Sequence, residues 1–352
     1  MDPRVDVFCH ILPPRYEEAR WQRVEKTNFV EHSPSHLKYV AGGKSPEQEN
    51  FQVLTNLEAR FRMMDEFENY RQMLSVASPP VEAVDPDDSE YLAKILNDEL
   101  AELVLKYPDR FAGAAASLPM NKPEAAAKEL DRCIKDLKLC TLQIYSNVLG
   151  KPLDLPEYRP IFQIMARHNL PILLHPARSI KHPDYLAEKE SKFLIWQIFG
   201  WPYETTAAMA RLVFGGVLDD FPNLKIICHH SGAMVPFFQG RMQSMFRMFT
   251  PLIETERGRP LKMPGIEYFR SFYTDVSTFT PASIECTVDF FGPDHVIFGS
   301  DAPFDLEGGR ASVRECTAAI QNARLSEADR SKIFYKNFEA SFRIPVPAPA
   351  RA

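Results

Sequence analysis

Short apolar runs and longer stretches with helical spacing alternate along most of this chain. The apolar runs are too short for helices and are bounded by turn-forming residues, which is typical of buried strands. Strands that alternate with helices in this way indicate repeated βα units and a parallel sheet. We predict eight strands, near residues 4–10, 72–77, 111–116, 140–145, 171–175, 224–229, 271–276 and 295–300. The predicted fold is therefore of the α/β class, a (β/α)8 or TIM barrel.

The segments between these strands supply helices and two insertions. Residues 123–137 carry apolar side chains at helical spacing, and residues 205–221 do so until Pro222 ends the pattern. The insertions are residues 15–55, after the first strand, and residues 177–204, after the fifth. Both follow the carboxyl end of a strand, where barrel enzymes hold their active sites. We therefore expect the insertions to form the lid or wall of such a site.

Four of the predicted strands end on residues that bind metals or carry protons. The first ends on His10, the fifth on His175, the sixth runs into His229 and His230, and the eighth leads to Asp301. Each has a structural alternative when taken alone, such as a satisfied buried histidine or an aspartate that caps the next helix. Together they indicate one site, because the carboxyl ends of barrel strands share a face. Neutral imidazoles with a carboxylate suit Zn²⁺, Mn²⁺ or Fe²⁺.

Composition narrows the classes of protein that remain. A barrel with insertions takes this length as one unit, so we expect a single domain over residues 1–344 and a Pro/Ala-rich tail over residues 345–352. The net charge of −6 and the pI near 5.9 argue against nucleic-acid binding. No signal peptide or membrane-spanning run is visible, so we expect a cytoplasmic protein. Its six cysteines form no CxxC pair and are predicted to be buried free thiols.

Five segments of the chain, residues 6–13, 142–160, 171–176, 230–232 and 299–303, carry motifs in the order of a known family. They resemble the amidohydrolase-related decarboxylases, which include the aminocarboxymuconate semialdehyde, γ-resorcylate, 5-carboxyvanillate and 6-methylsalicylate decarboxylases. The resemblance extends over nearly the whole chain. It implies a barrel with one divalent metal ion and the non-oxidative removal of CO₂ from an aromatic or dienoic carboxylate. It also implies a homodimer or homotetramer.

The first motif departs from this family. Members carry His-x-His or Glu-x-His on the first strand, with both end residues on the metal, and here the corresponding residues are Phe8 and His10. Residues two apart on a strand point the same way, so Phe8 is expected to face the site beside His10, and Cys9 to face away. A phenyl ring cannot bind a metal ion. The predicted ligands are then His10, His175 and Asp301, which is the number of protein ligands common in catalytic sites.

The resemblance assigns further roles. His230 matches the histidine that the family places beside the metal in a His-x-Gly turn, and we predict that it hydrogen-bonds the developing oxyanion or the carboxylate. Its neighbour His229 is expected to point outward, by strand alternation, as a structural residue. Asp301 is the predicted proton donor as well as a ligand.

An anionic substrate also requires a cation. Arg178, just beyond the fifth strand, is the first candidate, and Arg241, after the sixth, is the second, with a surface or interface salt bridge as the alternative for each. Phe8 is predicted to contact the substrate. Aromatic residues of the second insertion suit stacking on a planar substrate, and a subunit interface is their alternative role: Trp196, Phe199, Trp201 and Tyr203.

Two other classes of function stay open. One is different metal-activated chemistry on the same barrel: a hydrolase, a hydratase or an oxygen-activating enzyme, the last because two histidines with one carboxylate also suit Fe²⁺. The other is a non-catalytic barrel, degenerate at Phe8, that pairs with a related active subunit. Metal content separates the non-catalytic class from the enzymes. CO₂ release, water addition or oxygen consumption separates the enzymes from one another.

Overall fold

A computed structural model describes residues 2–24 and 49–347 of the chain. Seven strands form a parallel sheet in the order β1-β2-β3-β4-β7-β8-β9, and β5 pairs with β6 in a small antiparallel ribbon. The strands of the described residues are β1 (Arg4–Ile11), β2 (Tyr70–Val76), β3 (Phe111–Ala116), β4 (Thr141–Tyr145), β5 (Asn147–Val148), β6 (Lys151–Pro152), β7 (Pro171–His175), β8 (Lys225–Cys228) and β9 (Tyr273–Thr274). The sheet confirms the predicted α/β class, and its seven strands coincide with the first seven that we predicted.

The eighth predicted strand, residues 295–300, joins the two edges of this sheet through single hydrogen bonds rather than as a continuous strand. On one side, the N–H of Ile297 donates to the carbonyl of Thr274 in β9 at 2.8 Å. On the other side, the N–H of Val7 in β1 donates to the carbonyl of Phe298 at 3.0 Å. The segment thereby closes the curled sheet and brings the residues after it to the same rim as the carboxyl ends of β1 and β9.

Helices follow the strands and pack outside the sheet. The α-helices of the described residues are Pro14–Val24, Glu49–Thr55, Leu57–Met64, Pro86–Lys106, Pro123–Lys135, Arg159–His168, Ile195–Ile198, Gly200–Phe214, Val217–Asp220, Gln239–Arg257, Gly265–Arg270, Pro281–Phe291, Arg310–Asn322, Glu327–Ser331 and Asn337–Phe342. Single turns of 3₁₀-helix cover Val81–Ala83, Pro156–Tyr158 and Pro293–His295, and a π-helical turn covers Lys332–Lys336. The helix predicted over residues 123–137 is confirmed to within two residues.

The helix predicted over residues 205–221 is instead two helices. The first already begins at Gly200 and ends at Phe214, and a second, Val217–Asp220, follows a break. Gly216 causes the break, because its φ of 80° lies in the left-handed region, and a Cβ atom there would meet the guanidinium of Arg259. Apolar spacing alone continues through this position, which is why it predicted one helix.

Strand side chains alternate between two buried layers. In β7, Leu173 faces the inside of the closed sheet, where it clusters with Ile227 of β8 and Ile297. Its neighbours Ile172 and Leu174 belong to the outer cluster, between the sheet and the helices. Alternate residues of a strand point to opposite faces, so the phase of each strand decides which of its end residues faces inward.

A bulge in β1 changes this phase within one strand. The pairing of β1 with β2 shifts register between Asp6 and Cys9. Val7 and Phe8 therefore both belong to the inner cluster, whereas Cys9 lies in the outer one. The predicted directions hold, since Phe8 faces inward, as does His10 beyond it, and Cys9 faces away.

The insertions and the tail are described in part. Most of the predicted insertion 15–55 lies outside the described residues. Within residues 177–204, the chain has no helix or strand before Ile195. In the tail, the N–H of Val346 donates to Oε1 of Glu339 at 2.7 Å, so the tail is docked at least as far as this residue.

All six cysteines are free thiols, four of them buried. Within the described ranges, no helix has the length and apolar character needed to cross a membrane.

Candidate metal and active site

Three histidines meet at the carboxyl rim of the sheet. His10 ends the inward-facing part of β1, His175 is the last residue of β7, and His229 directly follows β8. All three are buried, and one ring nitrogen of each lies within 4.8 Å of the others. Two of the three were predicted to meet here, and the third was not.

The rings of His10 and His175 are held through Nδ1. The Nδ1 of His10 lies 3.3 Å from the carbonyl of Val76, and the Nδ1 of His175 lies 2.8 Å from the carbonyl of Pro176. A carbonyl can only accept, so each Nδ1 carries the proton and each Nε2 keeps its lone pair for a ligand. The Nε2 of His10 is buried and has no hydrogen-bond partner among the described residues. Such an orphaned nitrogen fits a metal ion.

Asp301 completes the cluster. Its Oδ1 lies 3.2 Å from Nε2 of His10 and 3.2 Å from Nε2 of His229. The backbone of Asp301 is left-handed, with φ of 62°, which aims its carboxylate back over the strand ends. Burial acts to raise the pKa of Asp301, but the positive charge of His229 outweighs it and holds that pKa well below its usual range. The carboxylate is therefore ionised, as a metal ligand must be.

His229 does not point outward, so that prediction was wrong. Its ring is fully buried, its Nε2 faces Asp301, and its Nδ1 hydrogen-bonds Oδ2 of Asp275. The error lay in the phase of β8. Ile227 faces inward, so alternation places His229 inward as well. The match of His230 to a family motif implies the opposite phase, which the structure does not have.

His230 also reaches the site, because β8 has ended before it. His230 and Ser231 have φ of 58° and 56°, a left-handed turn that interrupts strand alternation. The Nε2 of His230 lies 3.7 Å from Oδ2 of Asp301, and its ring stacks on His229 at 3.9 Å. Burial, followed by the charge of His229, lowers the pKa of His230, which favours a neutral ring. The structure thus places His230 beside Asp301 and His229, in agreement with its predicted position.

Asp275, one residue beyond β9, organises the turn and was missed in the sequence. Besides the ring of His229, its carboxylate accepts hydrogen bonds from the N–H groups of His230 and Ser231, at 3.2 and 2.7 Å. Burial disfavours charge on both partners, but the attraction between Asp275 and His229 prevails. It lowers the pKa of Asp275 and raises that of His229 to about 10. The signal was available, since Asp275 lies at the end of the seventh predicted strand.

A cavity of about 440 Å³ opens beside the cluster. His175 and Asp301 contribute to one end of it, and Trp196, Trp201 and Phe304 supply large aromatic walls. Two of these aromatic residues pack directly against the histidines. The ring centroid of Trp201 lies 5.7 Å from that of His175, and the ring centroid of Phe304 lies 5.3 Å from that of His10. A flat, mostly apolar molecule with one anionic end fits these surroundings.

The three predicted substrate contacts differ in their placement. Arg178 borders the cavity and forms an ion pair with Glu204 at 2.9 Å. Arg241 instead lies exposed on the helix Gln239–Arg257 and is absent from the described cavity lining. Phe8 has no exposed surface and stacks beneath His229, so it reaches the site through that ring and not by direct contact with a substrate. The sequence placed all three near strand ends but could not give the distance from the cavity.

A closed parallel sheet with a pocket of histidines and an aspartate at its carboxyl rim defines a barrel of the metal-dependent enzyme class. A profile of the amidohydrolase family matches residues 35–344, and the chain belongs to this family. It is 31% identical over 294 residues to the γ-resorcylate decarboxylase of a Polaromonas species, covering 81% of this chain and 86% of that protein. It is 35% identical over 224 residues to the 2-amino-3-carboxymuconate-6-semialdehyde decarboxylase of Dictyostelium discoideum, covering 63% and 59%.

Solved structures show the same likeness. The 5-carboxyvanillate decarboxylase of Novosphingobium aromaticivorans, solved with manganese and 4-hydroxy-3-methoxy-5-nitrobenzoic acid, superposes with a TM-score of 0.83 at 26% identity, over 97% of this chain and 96% of that one. The resemblance inferred from the sequence motifs is thus confirmed.

Proposed function

We propose that this protein removes CO₂ without oxidation from an aromatic or dienoic carboxylate, in a reaction that depends on one divalent metal ion. The observation that carries the proposal is the convergence of buried imidazoles and Asp301 at one end of an aromatic-walled cavity. The similar proteins support the reaction class, since they are decarboxylases of this kind of substrate.

His10, His175 and Asp301 are the ligands that we assign to this ion. Mn²⁺ is favoured because relatives were solved with manganese, while the same donors also suit Zn²⁺ and Fe²⁺. When bound at these residues, the ion would act as a Lewis acid towards the carboxylate end of the substrate. The orphaned Nε2 of His10 and the ionised Asp301 fit this assignment.

The side chains around the ligands support proton transfer and charge stabilisation. Decarboxylation breaks the bond between a ring carbon and CO₂, and the ring carbon gains a proton. We assign the delivery of that proton to Asp301; because its carboxylate is ionised in the metal-free protein, it would first take the proton from solvent water as the substrate binds. The neutral ring of His230 borders the same carboxylate, and its N–H can donate to the oxyanion that develops on the substrate.

The cavity walls would position and shield the substrate. Trp196 and Trp201 suit stacking on a planar ring, and their segment, which belongs to the second insertion, excludes water from one side. We propose that this insertion is the wall of the site and that Arg178 attracts the anionic substrate. Glu204 offsets part of the Arg178 charge, so Arg178 serves to orient the carboxylate more than to bind it tightly.

We further propose that the chain assembles as a homodimer or homotetramer of single-domain subunits over residues 1–344. Helix Gln239–Arg257 has no fully buried residue, although it carries apolar side chains. Among the large apolar residues exposed on it and just before it are Phe237, Met248, Phe249 and Leu252. Such a patch marks an interaction surface.

We also propose a cytoplasmic location, with which the six free thiols agree.

The test is metal analysis of the purified protein combined with a screen of hydroxybenzoates for CO₂ release. We expect one divalent ion per chain and metal-dependent CO₂ release. His175→Ala should lose the ion, and His168→Ala, at the end of helix Arg159–His168, is the matched control that should keep it. Metal with water addition or oxygen consumption in place of CO₂ would favour the other metal-dependent enzymes. A protein without metal would favour the non-catalytic subunit.

A further inference from the structure

We propose that His229 is itself a metal ligand, through Nε2, so that the ion is held by three histidines and one aspartate. The assignment rests on the proposed function in one respect, namely that a divalent ion binds in this cluster. Phe8, which faces inward beside His10, has no donor atom, and His229 occupies the space in front of its ring. The site is therefore complete without a ligand at position 8.

The distances agree with shared coordination. Ligand atoms about 2.0–2.1 Å from a tetrahedral ion lie roughly 3.4 Å apart. Oδ1 of Asp301 is 3.2 Å from Nε2 of both His10 and His229, which is close to that edge. The nitrogens of His10, His175 and His229 lie within 4.8 Å of one another, so a small contraction brings all of them onto one ion. His229 satisfies these distances as well as His10 does.

The hydrogen bonds of His229 are those of a ligand. Its Nδ1 bonds Oδ2 of Asp275, which leaves Nε2 to face the cluster. Ligating histidines usually hold a carboxylate or carbonyl through the other nitrogen, and such partners fix the ring and raise its basicity. Asp275 is itself anchored, because it accepts from the N–H of Ser231 at 2.7 Å and from the hydroxyl of Ser277 at 3.0 Å. The ring is oriented before any ion arrives.

Phe8 fixes the plane of that ring. The two rings stack with centroids 4.0 Å apart and planes 6° apart, and both side chains are fully buried. His229 cannot swing away without opening a gap against Phe8, since packed interiors tolerate few voids. Phe8 therefore acts as a positioning residue for a ligand.

The neighbouring His230 is left for the substrate. Its Nδ1 has no hydrogen-bond partner among the described residues, and its side chain retains 18% exposure, whereas His229 has none. Two adjacent histidines thus have separate tasks: His229 binds the metal, and His230, whose ring centroid lies 6.3 Å from that of the cavity residue Trp201, lies on the substrate side. This division can be tested without measuring activity.

The first experiment counts the histidine ligands in the wild-type protein. The purified protein is stripped of metal and loaded with Co²⁺, and the strongly shifted exchangeable imidazole N–H signals are counted by proton NMR. Three ligands bound through Nε2, each with its proton on Nδ1, should give three signals. Two signals would overturn the assignment of His229 and leave the metal-dependent decarboxylase intact. If no Co²⁺ binds, both the assignment and the metal requirement of the proposed function fail.

The second experiment compares two neighbouring substitutions. His229→Asn should lower Co²⁺ affinity by more than about 100-fold, since loss of a mere outer partner already costs about 10- to 100-fold. His230→Asn is the matched control and should keep Co²⁺ affinity within a factor of about two. Asp275→Asn disturbs His229 without removing it and should weaken Co²⁺ binding about 10- to 100-fold. Unchanged affinity in a folded His229→Asn protein would overturn the proposal, as would equal losses in the two histidine variants.

Discussion

The carboxyl ends of β1 and β8 each bring two ring-bearing side chains to the same site, by different backbone devices. In β1, a bulge between Asp6 and Cys9 sets the phase so that Phe8 and His10 both face inward. At β8, ordinary alternation points His229 inward, and the left-handed turn that follows returns His230 to the same side. The difference teaches that the backbone after each strand, as well as strand alternation, decides which side chains reach the site. At the end of β1, the ring of Phe8 packs and the ring of His10 brings nitrogen atoms to the cluster, whereas at the end of β8 both rings bring nitrogen atoms to it.

The largest effect on metal affinity and turnover should come from substitution of Asp301, which contacts histidines from both strand ends. Asp301→Asn removes the only carboxylate that contacts both His10 and His229 among the described residues. We expect metal affinity to fall by more than about 100-fold and CO₂ release to fall with it, because a neutral amide is a weak ligand and cannot carry the proton. Metal titration and turnover, measured side by side, check this. Full metal content in the variant would remove Asp301 from the ligand set.

The second-largest effect, a loss of turnover without loss of metal, should distinguish His230 from His229 at the end of β8. His230→Asn should lower kcat by roughly 10²-fold or more, the scale of one lost oxyanion donor, while metal content stays near that of the wild type. Steady-state kinetics with parallel metal analysis tests both halves of this expectation. Normal turnover would show that His230 does not touch the reacting charge, and loss of metal would show that it binds the ion instead.

A smaller effect concerns the His229 and Asp275 pair in the metal-free protein. The folded pKa of His229 is raised to about 10 from an ordinary value of 6.5. A raised pKa adds stability that is fully present below the unfolded value and is lost as the pH rises through the folded one. The free energy of unfolding should therefore decline from about pH 6.5 to about pH 10. Urea unfolding in EDTA measures it.

The control for this pH dependence is Asp275→Asn, which should flatten the decline because the ion pair is gone. An equally steep decline in that variant would mean that other groups cause it. The acidic side offers a second comparison, since the pKa values of Asp275 and Asp301 are both lowered. Their contribution is present above the ordinary carboxyl range and should be lost as the pH falls through the lowered values.

The smallest effect is expected at the packing residue of the β1 end. Phe8→Leu keeps an apolar side chain but loses the stacked ring, so we expect a destabilisation of about 1–2 kcal/mol. Metal affinity should fall by less than about tenfold, because every ligand and the Asp275 contact remain. Chemical denaturation and Co²⁺ titration give the two numbers. A complete loss of metal would show that Phe8 does more than hold a ring in place.

The sequence by itself determined the strands, their parallel order and the rim on which chemistry occurs. Each follows from local patterns: apolar runs of strand length, helical spacing between them, and polar residues where the runs end. His10, His175 and Asp301 were placed in one site on that basis, and the structure brings them together. The eighth predicted strand is not a continuous strand, but its segment lies where the sheet closes and pairs there through isolated bridges.

Tertiary structure alone decided the direction and the partner of each side chain. The phase of β8, the turn at His230 and the left-handed Asp301 depend on backbone geometry that apolar spacing does not encode. The choice of Asp275 as the partner of His229 joins residues 46 positions apart. Arg178 borders the cavity beside the histidines, whereas Arg241 is absent from the described lining of that cavity. Local patterns report which residues leave the core, whereas long-range packing decides which of them meet.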